Sequence, residues 1–112
     1  MNNRTANLLH AISPNTAQIH RVVTVADTAA GLNTLYETAA GGPIHPQSEI
    51  LRVQTTSGSL YATFDGVTDP ASGVGFLIGS GWESYMTRAE FVAMRVIAAD
   101  GTPLIQIAGY LV

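Results

Sequence analysis

Apolar and polar side chains alternate along most of this chain with a period of two, the spacing that sends successive residues to opposite faces of a strand. Residues 19–26 (IHRVVTVA) are rich in β-branched side chains and are expected to form the first strand. Residues 27–40 are ambiguous. Asp27 could cap a short helix with Leu32, Leu35 and Tyr36 on one face, but Gly31 and Asn33 weaken it, so a loop with one irregular turn is an equal reading. Gly41, Gly42, Pro43 and Pro46 then break the chain. Beyond residue 49, Leu51, Val53 and Thr55 alternate with Ile50, Arg52 and Gln54, and Ser57-Gly58 is a tight-turn signal leading into Leu60, Ala62 and Phe64. Residues 49–65 are therefore expected to form a β-hairpin.

The second half repeats that logic. Residues 65–75 (DGVTDPASGVG) read as a loop, 76–78 as a short strand, 79–81 as a turn and 82–87 as another strand. The strongest strand signals are 91–98 (FVAMRVIA) and 104–112 (LIQIAGYLV), with Asp100-Gly101 between them predicting a second hairpin. About seven short strands separated by turns imply a mainly all-β fold, a small β-sandwich or barrel. The first 18 residues, broken by Pro14, lack strand periodicity. They are expected to form an N-terminal arm (1–18) ahead of one β domain (19–112), since 112 residues suffice for a single hydrophobic core.

Composition narrows the possible roles. Charged residues make up 12% of the chain against 46% hydrophobic, with a mean hydropathy of +0.22. Ordinary soluble domains carry about 25% charge. So sparse a charge points to a surface partly covered by partners. The net charge is −3 and all five basic residues are arginine, so there is no basic face for nucleic acid. Arginine without lysine suits interface contacts, because its planar, weakly hydrated head gives bidentate bonds at lower desolvation cost. The absence of cysteine removes disulfides and thiolate chemistry. No apolar run approaches the ~20 residues of a membrane span, and residues 1–16 do not read as a secretory signal. The expected site of synthesis is a cytosol.

No catalytic, cofactor or metal site is expected. His10, His20 and His45 are scattered, without the short fixed spacing of metal ligands. Asp65, Asp69 and Asp100 sit in turns, where an aspartate bonds the backbone two residues on, and residues 65–70 lack the ligand spacing of a calcium loop. Gly73, Gly75, Gly79 and Gly81 have no following GK[ST] and read as turn glycines. Glu83 and Glu90 are seven positions apart, a spacing that occurs by chance and does not define a glycosidase pair. The apolar segment 104–112 is expected to pair within the sheet rather than stand as an open edge.

The order ILRVQTTSG, a strand bearing Tyr61 and Phe64, the loop Asp65-Gly66…Asp69-Pro70…Ser72-Gly73, the turn Gly79-Ser80-Gly81 and then FVAMRVIAADGTPLIQIAGYLV is similar to small β-barrel virion structural proteins of tailed bacteriophages. The resemblance covers residues 49–112 and consists of turns and hydrophobic positions. It implies a capsid decoration (cement) protein on the virion surface that binds the major capsid protein, as a homotrimer and with no enzymatic activity. A head–tail or tail accessory protein is the nearest alternative. A carbohydrate-binding β-sandwich, with Trp82, Tyr61 and Tyr85 as stacking platforms, is another. Leu8, Leu9 and Ile12 of the arm, with Trp82 and Tyr85, are the expected interface residues; no membrane or nucleic-acid partner is implied.

Overall fold

A computed structural model describes residues 19–44 and 48–111. The described residues are mainly β, as expected, and build one antiparallel sheet of six strands. The strands are β1 (Ile19–Thr24), β2 (Ala30–Gly31), β3 (Ser48–Thr63), β4 (Phe76–Gly79), β5 (Glu83–Thr87) and β6 (Arg95–Leu111). The helices are α1 (Leu32–Ala40) and α2 (Arg88–Ala93). The long strands β3 and β6 pair along their whole length and form the spine. On the outer side of β6, β1 pairs with residues 104–109 and β2 with 95–96. On the outer side of β3, β5 pairs with residues 50–54 and β4 with 59–62.

Both expected hairpins are replaced by bends within long strands. Ser57-Gly58 lies inside β3 and Asp100-Gly101 inside β6. Gly58 and Gly101 do take the left-handed backbone that suggested turns, with φ of 61° and 70°. They sit together in the ribbon, where the register shifts between Thr55/Ser57, Ser57/Ser59 and Ser59/Leu60. A left-handed glycine serves a hairpin turn and a β-bulge equally well, so the local signal did not separate them. The burial pattern does. Leu51, Val53 and Thr55 are buried on one side of the bend, Leu60 and Ala62 on the other, so the buried parity switches from odd to even. Along β6 it switches the other way, from Val96 to Ile105 and Ile107. Both strands bulge together, and both halves of the sheet keep their apolar side chains on a single core.

The second departure is at residues 91–98, expected to be entirely strand. Phe91 to Ala93 end helix α2, and strand resumes at Arg95. The cause is a capping box: Glu90 N–H donates to the Thr87 hydroxyl at 3.3 Å, and Thr87 N–H donates to the Glu90 carboxylate at 2.9 Å. The segment 27–40 resolves into a helix at Leu32, capped by Gly31 rather than Asp27 and without a side-chain cap bond. It ends at Gly41 in left-handed conformation, with Gly41 and Gly42 N–H both donating to the Glu37 carbonyl. Leu32 and Tyr36 point into the core, where Tyr36 meets Phe91 of α2 edge to face with ring centroids 6.3 Å apart. The two helices and the residue after α2 thus close the core face of the sheet with Leu32, Tyr36, Phe91 and Met94, all four at most 3% exposed.

Candidate docking surface

The loop after β3 is held as firmly as an element of secondary structure. Val67 and Thr68 N–H groups donate to the Asp65 carboxylate at 2.9 and 2.8 Å, and the Thr68 hydroxyl donates to it at 2.5 Å. These bonds, the Thr68 hydroxyl first, lower the Asp65 pKa from 3.8 to about 2. The Thr63 hydroxyl donates to the Thr68 carbonyl, and Gly66 N–H to the Ala93 carbonyl. Further along, Asp69 takes an ion pair from Arg95 at 2.6 Å. Ala71 and Val74 form a two-way backbone bridge at 3.0 and 2.8 Å. Asp65 and Asp69, read from the sequence as turn-making residues, are the braces of this loop.

What the braced loop presents is apolar. Val67 is 83% exposed, Phe76 69% and Leu77 65%, with Phe64 and Val74 also exposed. Phe64 and Phe76 pack ring to ring at 5.9 Å. A shallow groove of about 420 Å³ runs between residues 62–65, Thr68 and 74–76. Isolated exposed apolar residues are ordinary on proteins; several large ones on a braced loop and the strand that follows it make this the candidate contact surface. Rigidity lowers the entropy lost when such a surface is covered. From the sequence, residues 65–75 read as a turn-rich loop only; the run of uncharged residues 70–82, from that loop through β4, was the available signal for this surface.

The opposite face of the sheet is polar. Cross-strand registers align His20, Ala108, Arg52 and Tyr85 in one row and Val22, Gln106, Gln54 and Glu83 in the next. Arg52 binds Glu83 through two bonds of 2.9 and 3.1 Å, and the Glu83 bond is the main cause that raises its pKa. His20 Nε2 lies 3.1 Å from the Gln106 amide oxygen. Around Ala108 these side chains leave a recess of about 60 Å³. Pairs of this kind at a solvated sheet face satisfy one another and leave no reactive group unpartnered. Among the described residues, no three histidine, aspartate or glutamate side chains gather as a metal site, and no helix is long and apolar enough to cross a membrane.

Of the expected interface residues, Leu8, Leu9 and Ile12 lie outside the described residues. Trp82 and Tyr85 are not brought together. Trp82 packs against the core cluster, while Tyr85 stands on the polar face opposite Arg52. Tyr61 lies on β3 directly opposite Leu77. The three aromatic side chains suggested as a sugar platform therefore do not share one.

No family model and no curated protein matches the chain. Two solved structures are similar to it. One is dTDP-4-dehydrorhamnose 3,5-epimerase from Bacillus anthracis str. Ames with TDP and PPi bound, at 12% identity and a TM-score of 0.49; the match covers 100% of this chain and 62% of the epimerase. The chain thus spans 62% of that protein's length. The other is a Bacillus endospore appendage from a family of disulfide-linked pili, at 19% identity and a TM-score of 0.32, over 84% of this chain and 85% of the other. At these values neither likeness bears on what the chain does.

Proposed function

We propose that this chain is a non-catalytic structural protein that docks on another protein through the tip formed by Phe64, Val67, Val74 and Phe76. The observation that carries the reading is the exposure of these side chains on a loop braced by Asp65, Asp69 and Arg95. An enzyme site would need convergent polar groups in a cleft, whereas a docking tip needs apolar area held still. The particular role proposed is a decoration protein on the head of a tailed phage, seated on the major capsid protein. Its support is the resemblance of residues 49–112, which includes this same loop.

The test uses undecorated tailed-phage heads assembled from major capsid protein alone. The wild-type chain should bind them and protect them against heat. Val67→Asp and Phe76→Ser should melt within about 0.5 kcal/mol of wild type, because both side chains already face solvent. Each should lower occupancy on the heads by more than ~10-fold, the equivalent of ~1.4 kcal/mol of lost apolar burial. Full occupancy by both variants would remove the tip from the reading. No binding by the wild-type chain would remove the decoration role.

A further inference from the structure

The strands on the two sides of the sheet differ in what they offer to a neighbour. β1 ends one side with His20, Arg21, Val22 and Thr24 exposed, and β5 opens with the exposed Glu83; the polar and charged ones among them discourage edge-to-edge pairing. β4 has no such protection. It pairs with β3 along one side only, and among the described residues no strand pairs with its other side. Its sequence is Phe76-Leu77-Ile78-Gly79, and from residue 70 to residue 82 the chain has no charged side chain.

We infer that two copies of this chain pair through the outer edge of β4, antiparallel and about a two-fold axis perpendicular to the sheet. The inference does not rest on a role on a virus particle, although the pairing shares Phe76 with the docking tip. A two-fold axis sets the residue on it against its own copy and its neighbours against one another, so a charge at the centre would face its like; residues 70–82 carry none. Such an axis also keeps the two faces of the sheet continuous, which restricts the register. With Leu77 opposite Leu77 of the second copy, Phe76 lies opposite Ile78. Leucine then meets leucine on the Tyr61 side, and phenylalanine meets isoleucine on the core side. Centring the axis on Ile78 would instead set Leu77 against Gly79 and cover less apolar surface. The pairing gives the open edge its missing backbone partners and buries two side chains that are otherwise 69% and 65% exposed. A three-fold ring that joined β4 to β1 or to β5 would be a head-to-tail contact setting the uncharged edge against a strand with exposed polar or charged side chains.

The edge is four residues long, so the pair is a weak one, formed at roughly micromolar concentration and above. Sedimentation equilibrium of the full chain at about 10–500 µM should show a monomer–dimer equilibrium. Leu77→Lys should weaken it on the order of 100-fold while leaving the melting temperature unchanged, because two ammonium groups would meet across the axis in place of two leucines. A second measurement does not depend on that variant. The chain has no cysteine, so Leu77→Cys introduces a single thiol. Facing residues of an antiparallel pair have Cα atoms about 4.5–5.5 Å apart, inside the range a disulfide spans. Mild oxidation should convert Leu77→Cys to a covalent dimer, and Val22→Cys, on the β1 edge, should stay monomeric. A monomer throughout the concentration range, a trimer, or equal cross-linking of the two cysteine variants would overturn the inference.

Discussion

Gly58 and Gly101 meet back to back in the middle of the β3–β6 ribbon: a Cβ placed on Gly101 would lie 3.6 Å from the Cα of Gly58. A Cβ on Gly58 would fall 2.5 Å from the Asp100 carbonyl oxygen, which is backbone and cannot move aside. Both positions carry positive φ. Gly101→Ala should therefore cost only the left-handed backbone, about 1–2 kcal/mol. Gly58→Ala should cost that and the clash, about 3–4 kcal/mol in all. Urea unfolding of the two variants checks the order, and equal losses would show that the bend is not packed as described.

Thr55 predicts a gain. It is 1% exposed on β3, and its hydroxyl has no hydrogen-bond partner among the described residues. Valine has nearly the same shape and carries no polar atom to desolvate. Thr55→Val should raise stability by about 1 kcal/mol, read as a higher denaturation midpoint at unchanged slope. A loss of stability would mean that the hydroxyl is satisfied in solution.

Helix α2 is six residues long and depends on its cap and its anchor. Thr87→Ala removes the acceptor for Glu90 N–H and should cost about 1 kcal/mol. Phe91→Ala empties the position beneath Tyr36 and should cost about 3–5 kcal/mol, a large share of the stability of a domain this size. Tyrosine fluorescence during unfolding should register both losses in that order.

The brace at Asp65 gives a pH dependence of definite sign. Its pKa is lowered from 3.8 to about 2, so the charged form is the one the folded loop favours. Its contribution is complete above the unfolded value near 3.8 and fades as pH falls from there toward 2. The Val67 and Thr68 amide signals in NMR should titrate with a midpoint near 2, and in Asp65→Asn this titration should vanish. A wild-type midpoint of 3.8 would show the loop to be unbraced.

Much of the fold was legible because it depends on local chemistry. The alternation through Leu51, Val53 and Thr55, and again through Ile105 and Ile107, belongs to a half-buried strand wherever that strand goes. The left-handed backbone at Gly58 and Gly101 was legible for the same reason. Whether those glycines reverse the chain or bend it depended on a partner strand more than 40 residues away. The capping box Thr87…Glu90 was present in the sequence, but the apolar run that follows it outweighed it as a strand signal.

The sequence by itself determined that the chain is mainly β and poor in charge, because composition and a period of two need no neighbours to be read. Tertiary structure alone decided which apolar residues stay outside. Val67, Phe76 and Leu77 are as hydrophobic as Val53, Leu60 and Ile107, yet the first three are exposed and the last three have no exposed surface. Hydrophobicity is a property of the side chain, whereas burial depends on what the rest of the chain places over it. Over Val67, Phe76 and Leu77 the described residues place little, and Trp82, just ahead of β5, packs on the core cluster while Tyr85 stands on the polar face.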